Sequence, residues 1–477
     1  MQFVCPLFRK SLLSGLAVFA VLALPRTLHA EARLVVEADS GKVVEAENAT
    51  VPWYPASVTK LMTAYVTLKA VKEGKITLDT LLTVSPVAAS QSPSKMGFKP
   101  GTRVTVDNAL KMMLVKSAND MAVVLAEGTG GSIDGFSTMM NQTAQKLGMT
   151  QTHYVNPNGL PADEQVTSAR DLAILARAII HDLPEYEYFV HIPSIRFGHR
   201  ITQNFNRLIG RYPGADGFKT GFICASGYNL VASATRDGRR LIAVVLGASS
   251  GTARAVRAAQ LLDRGFASNN GLSWLRPSLG TVDNLPAIDT SPPNLHDEMC
   301  GGKHRHKPAS DEDDAAVAST TGSPSGSPGG EATSIFLAAG LRPPMPKPSE
   351  WLAAAPAASE PVVVYTGPTR SGAALVAAVA ADADSQVTRH AKKSRVAARK
   401  PETGPKAEGG KDGKAEAKPA KPSAVRHASA KPDTGAKGAD KPAAHANQAK
   451  PAKPKAVAKP KSDTKSDTKP APKNSSG

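Results

Sequence analysis

The chain has 477 residues, 58 Lys+Arg against 41 Asp+Glu, a formal net charge of +17 and only 5% aromatic residues. The excess is local: residues 389–477 hold 23 Lys/Arg and 8 Asp/Glu, a net +15, whereas the preceding 388 residues hold 35 and 33. The basic segment contains no Phe, Trp or Tyr, so it can neither build a packed core nor stack bases, which argues against a single-domain nucleic-acid binder.

Arg9 and Lys10 precede an apolar run from Leu12 to Leu24, and Leu28-His29-Ala30 offers a small residue before a cleavage point. This is the layout of a signal peptide over residues 1–30. The run, broken by Pro25 and Arg26, falls short of the ~20 residues a spanning helix needs. The expectation is a protein secreted across the inner membrane to the periplasm or extracytoplasmic face. Cys5 leaves with the leader. Cys224 and Cys300 remain, an even pair that an oxidising compartment can bridge, and the sequence leaves a disulfide and two separate thiols equally open.

Residues 32–268 carry a dense apolar pattern, enough for one large domain. Leu34-Val35-Val36, a turn at Asp39–Lys42 and Val43-Val44 predict a hairpin. Helices are predicted from Ala56 or Ser57 to Ala70, Asp107 to Lys116, Asp120 to Glu127, Asp134 to Leu147 and Ser168 to His181. Strands follow at Gly217–Gly221, Tyr228–Thr235 and Leu241–Ala248, the last two joined by a turn at Asp237-Gly238. Thr252–Phe266 closes as a helix. The fold class is therefore α+β, an antiparallel sheet flanked by helices with a helical insertion. Residues 269–388, rich in Pro, Gly, Ser and Ala, read as a solvated linker with apolar islands at Ser334–Leu341 and Pro361–Gly367. Residues 389–477 read as a disordered Lys/Ala/Pro-rich tail.

Three short motifs carry chemistry. Ser57 and Lys60 stand at i and i+3 at the start of the first long helix, so the amine reaches the hydroxyl. A serine attacks when a base takes its proton, and a lysine serves as that base when burial or a second cation favours the neutral amine. The helix N-terminus adds backbone N–H groups for a developing oxyanion. Ser-x-x-Lys recurs at Ser92–Lys95, Ser462–Lys465 and Ser466–Lys469, so the motif alone is weak, but only Ser57–Lys60 opens an amphipathic helix. Ser117-Ala118-Asn119, between two helices, offers a hydroxyl for proton relay and an amide for a substrate carbonyl and the lysine; a helix–turn cap is the plain alternative. Lys219-Thr220-Gly221 on a predicted strand suits an edge that docks an extended peptide and faces its carboxylate, with Gly221 permitting close approach.

In this order and context the three motifs resemble those of the penicillin-interacting serine peptidases. Tyr54–Lys60, Asn156–Leu160, Asp216–Gly221 and Ser226–Ala234 are similar to the D-alanyl-D-alanine carboxypeptidase branch, the low-molecular-mass penicillin-binding proteins, and the resemblance covers about Ala32 to Phe266. It implies a β-lactamase/transpeptidase-like fold. It further implies Ser57 as acylating nucleophile, Lys60 as its base, Ser117 as proton relay and Asn119 as a binder of substrate amide. Lys219 would supply positive potential, with Thr220 and Gly221 at the substrate carboxylate. The backbone N–H groups of Ser57 and Phe222 would form the oxyanion hole, and Arg254 would hold the terminal carboxylate.

The reaction implied is removal of the terminal D-alanine from peptidoglycan stem pentapeptides. β-Lactam antibiotics would act as covalent inhibitors, with no metal, organic cofactor or nucleic acid involved. A D,D-endopeptidase cutting cross-links is the nearest alternative, and a non-catalytic wall-binding protein the remote one. A β-lactamase is disfavoured because no Glu-x-x-Leu-Asn-like element lies between Asn119 and Lys219. Two features depart from the family pattern. Beyond Asn269 the sequence shows neither a β-rich second domain nor an amphipathic anchor helix, and Phe222 stands where relatives often carry a polar residue. The tail suits loose, salt-sensitive contact with envelope polyanions, or a plain spacer.

Overall fold

The computed structural model describes residues 31–268, 278–301 and 347–397. The expected leader, residues 269–277 and 302–346 of the expected linker, and nearly all of the basic tail lie outside the described residues.

A hairpin, β1 (Ala32–Glu37) and β2 (Val43–Glu47), opens the fold. A tight 3-10 turn, Ala56–Thr59, runs into α1 (Lys60–Lys72). Next come β3 (Leu81–Thr83), α2 (Pro86–Ser90), β4 (Arg103–Thr105), α3 (Val106–Val115), α4 (Asn119–Gly130), α5 (Ile133–Lys146) and α6 (Ala169–Asp182). A second hairpin, β5 (Ser194–Phe197) and β6 (Arg200–Gln203), precedes β7 (Ala215–Ile223), β8 (Gly227–Arg236), β9 (Arg239–Ala248) and α7 (Gly251–Ala267).

The main sheet has the order β2-β1-β9-β8-β7, with every neighbouring pair antiparallel. Residues 227–234 of β8 and 241–246 of β9 are buried at every position, both parities alike, so the sheet is covered on both faces. α7 packs on β8 and β9, and α6 packs on β1 and β9. Helices α1, α3, α4 and α5 pack on one another as the insertion. This is the α+β arrangement expected, and it leaves β7 as an edge strand beside the turn that carries Ser57.

Helix starts differ from expectation in an informative way. Ser168 caps α6, accepting from Asp171 N at 3.1 Å. However, α3 and α5 begin before the predicted starts at Asp107 and Asp134, with Thr105 capping α3 and Ser132 capping α5. The two aspartates sit in the first turn instead, where their charge complements the helix dipole. α4 runs through Gly128 to Gly130, and the left-handed residue that ends it is Gly131 at φ +76°. Gly128 sits inside the helix because a Cβ there would fall 2.5 Å from Leu82 Cδ2.

The expectation of a continuous solvated linker over 269–388 requires correction in two stretches. Residues 278–301 lie on the body: Val43 N donates to Gly280 O at 2.9 Å, and Leu295 N to Ala225 O at 3.0 Å. Val282 and Met299 are buried, and α8 (His296–Cys300) brings Cys300 into a disulfide with Cys224, the Cα atoms 5.7 Å apart. The second stretch begins at α9 (Pro348–Ala353), which packs on α7. β10 (Val362–Val364), inside the Pro361–Gly367 island, pairs in parallel with β5 to give a three-stranded sheet, β10-β5-β6. α10 (Gly372–Ala397) follows, and its Asp382 accepts from Thr366 N at 3.0 Å. Composition hides this docking because it uses scattered apolar anchors and main-chain hydrogen bonds, which any sequence offers. Among the described residues no helix is long and apolar enough to cross a membrane.

The disulfide closes a separation of 76 residues, so Cys300→Ser is expected to lower unfolding stability by roughly 4 kcal/mol. Urea midpoints under oxidising conditions measure this, and an unchanged midpoint would show that the bond adds nothing to stability.

Candidate active site

The segment before Ser57 is fixed to the sheet from two sides. Trp53, 1% exposed, donates its Nε1–H to Ser226 O at 3.0 Å. Asn229 on β8 donates Nδ2–H to Tyr54 O at 3.0 Å and Pro55 O at 3.1 Å, while its Oδ1 accepts from Gly247 N at 3.1 Å. Ala56 is held at φ +50°, a left-handed conformation that costs a non-glycine residue and persists only where its surroundings impose it. Gly159, at φ +78°, abuts this turn, and a Cβ on it would collide with the Ala56 carbonyl.

Lys60 is wholly buried. Its Nζ lies 2.8 Å from Ser57 Oγ, 2.7 Å from Asn119 Oδ1 and 2.7 Å from Asn158 O. Both amide oxygens can only accept, so they take two N–H bonds. A neutral amine then has its lone pair left for the Ser57 hydroxyl. Asn119 is held in turn by its Nδ2–H to Ser92 O at 3.0 Å and its backbone N–H to Ser94 O at 2.8 Å. The same loop is anchored by the buried carboxylate of Asp120, which accepts from Met96 N at 3.1 Å and Gly97 N at 2.9 Å. Burial raises the Asp120 pKa, with these N–H groups opposing.

Ser57, Ser117 and Asn119 line one cleft with Pro93, Leu160 and Phe222. Ser117 is held at φ +60° between α3 and α4. Gly221 lies so close to the nucleophile turn that a Cβ would fall 2.7 Å from Ser57 N and 3.0 Å from Val58 N. Phe222 turns its ring onto Tyr228, centroids 4.3 Å apart. Lys219 is 1% exposed and donates to Thr220 O at 3.0 Å. Thr220 Oγ1 is buried and meets no hydrogen-bond partner among the described residues. Arg254 is 3% exposed, and its Nη1–H groups reach Asn229 O at 3.2 Å and Gly221 O at 3.5 Å. These contacts tie it to the main chain of β7 and β8.

Two contributors have no signature of residue type. Asn158 serves Lys60 through its backbone carbonyl, and Asn229 acts by tethering main chain. Both fall within stretches singled out by resemblance, Asn156–Leu160 and Ser226–Ala234, but neither was assigned a role there.

Replacing Gly221 by Ala is expected to push the nucleophile turn aside and slow acylation by about a hundredfold, with the fold retained. Circular dichroism and the rate of covalent labelling by a β-lactam check this together; an unchanged rate contradicts the close-approach argument. Lys116, beside Ser117, has its pKa lowered to about 8, chiefly by burial, with Arg200 adding and Asp120 opposing. A folded-state value below the ordinary 10.5 means the unfolded chain holds more protons between the two. The Lys116 contribution to stability therefore rises with pH from about 8 towards 10.5. Urea midpoints of wild type minus Lys116→Met should climb across that window, and a flat difference would contradict it.

Residues 19–250 match the family model of peptidase S11, described as D-alanyl-D-alanine carboxypeptidase. The chain is 39% identical over 290 residues to the Escherichia coli D-alanyl-D-alanine carboxypeptidase DacC, covering 56% of this chain and 72% of that protein. It is 38% identical over 268 residues to DacD of Salmonella typhimurium, covering 54% and 69%. Among solved structures, DacD from Francisella tularensis has 34% identity and a TM-score of 0.49, covering 50% of this chain and 71% of that one. The three motifs fall inside the matched span and meet around Ser57, and the chain belongs to the peptidase S11 family of D-alanyl-D-alanine carboxypeptidases.

Proposed function

We propose that the protein acts in the cell envelope as a serine-type D-alanyl-D-alanine carboxypeptidase, releasing the terminal D-alanine of peptidoglycan stem pentapeptides through a Ser57 acyl-enzyme. The observation that carries this reading is the buried Lys60 amine, 2.8 Å from Ser57 Oγ with two carbonyl oxygens fixing its other direction.

In this reading the substrate lies along β7, the free edge of the sheet. Its terminal carboxylate meets the buried hydroxyl of Thr220, which has no partner among the described residues, in the positive potential of Lys219. Lys60 takes the Ser57 proton as Oγ bonds to the penultimate D-alanine carbonyl carbon. The oxyanion is received by the backbone N–H groups of Ser57 and Phe222. Ser117 relays the proton to the departing amine as the peptide bond breaks, and water then hydrolyses the ester to regenerate Ser57. The Phe222 ring packs against Tyr228, and the residue serves the reaction through its backbone N–H. Arg254 serves this chemistry as a brace for the β7 backbone, which supplies one oxyanion donor. β-Lactams would acylate the same serine and persist, since their leaving group stays tethered. The leader-like N-terminus supports export, and the basic tail would add salt-sensitive contact with envelope polyanions.

Labelled penicillin is expected to attach covalently to wild type at Ser57. Ser57→Ala and Lys60→Ala should abolish labelling, and pentapeptide should lose D-alanine faster than cross-linked dimers are cut. Folded wild-type protein that takes up no label would overturn the enzymatic reading, and faster dimer cleavage would favour the endopeptidase.

A further inference from the structure

The two oxygens that flank the Lys60 amine are held from the other side by consecutive residues of one loop. Ser92 O accepts from Asn119 Nδ2 at 3.0 Å. Gln91 Oε1 accepts from Asn158 Nδ2 at 2.9 Å. We propose that Gln91 is a positioning residue for the reaction, fixing the Asn158 peptide and, through its carbonyl, the direction of the Lys60 lone pair. The inference rests on the Ser57–Lys60 reading above and adds a residue to it.

Gln91 is itself anchored. Its Nε2–H donates to Val87 O at 3.2 Å and its backbone N–H to Ala88 O at 3.2 Å, both in α2. The far end of the loop is gripped by Asp120. Rigid contacts therefore run from α2 through Gln91 to Asn158 and on to Lys60. Asn158 is 3% exposed, so its amide cannot exchange a lost partner for water without moving. Its Oδ1 already accepts from Leu160 N at 3.1 Å, and a side chain that turns to find a new acceptor pulls this turn and the Asn158 carbonyl with it. Hydrogen bonds weaken steeply with misdirection. The Lys60 amine would then rotate, and its lone pair would leave the line to Ser57 Oγ. Gln91 is only half-buried, so its effect on catalysis is separable from an effect on the core.

The test uses the full chain and a chromogenic penicillin, following acylation rate against pH and final label per chain for wild type, Gln91→Leu and Gln91→Glu. Gln91→Leu is expected to lower the plateau acylation rate about tenfold, with full final labelling and little change in penicillin affinity before the covalent step. Its acid limb should move to lower pH, because the ammonium form of Lys60 loses a well-aimed acceptor. Gln91→Glu keeps an acceptor for Asn158 Nδ2 and should return the plateau to within about threefold of wild type. A Gln91→Leu rate equal to wild type overturns the inference, as does an equal slowing in both variants. Reduced final labelling with an unshifted acid limb would assign Gln91 to folding alone and also overturns it. Wild-type protein that forms no Ser57 adduct sinks the functional reading beneath it as well, and so separates the two failures.

Discussion

An amine enclosed by protein must satisfy its hydrogens while keeping one electron pair free for chemistry, and the site is organised around that demand at Lys60. Three of its hydrogen-bond partners come from the turn before α1, the start of α4 and a loop after α5. None of these segments can hold a position within a fraction of an ångström by itself. The sheet fixes the first through Asn229 and Trp53. The loop at Ser92–Gly97 fixes the second, and the contact of Gly159 with the Ala56 carbonyl fixes the third against the first. Much of the helical insertion thus works as a jig for one nitrogen.

The strain in the site follows the same pattern. The residue before the nucleophile and Ser117 both adopt positive φ without being glycine, at +50° and +60°. Such conformations are tolerated where dense hydrogen bonding overdetermines the backbone. Here both strained residues sit beside groups that line the cleft, Ser57 after Ala56 and Asn119 after Ser117. Folding energy has in effect been placed where exact side-chain direction matters most.

What the sequence revealed divides by whether the information is local. The β8–β9 hairpin was legible because Asp237 and Gly238 meet the positive φ that the turn requires, +51° and +74°. Ser57, Lys60, Ser117, Asn119 and Gly221 were legible because their chemistry depends on residue type and spacing. Asn158 O and Ser92 O were not, since every residue carries a carbonyl and only tertiary structure selects one. For Arg254 the resemblance alone implied a hold on the substrate carboxylate. Folded, the side chain has main-chain carbonyls of β7 and β8 within reach. The cap at Thr105 was displaced by two residues to Asp107 because aspartate suits both a cap and a first turn. The docked stretches beyond α7 were illegible for a different reason: a single strand laid on an existing edge needs no periodic pattern of its own.

That late strand also bears on the order in which the protein can become whole. β10 joins β5 in parallel, and a parallel pair is connected only by a long crossover; here the crossover contains the rest of the main sheet and α7. Segments that meet across such a separation associate late, after the local contacts that bring them together. The β5–β6 hairpin leads directly to Phe205 in the cleft wall. In chain order, Ser57, Lys60 and the five strands of the main sheet all precede the strand that completes this outer sheet. The sheet beside the cleft is completed by residues far beyond the last catalytic motif, and the end of the chemistry in the sequence is not the end of the folded unit.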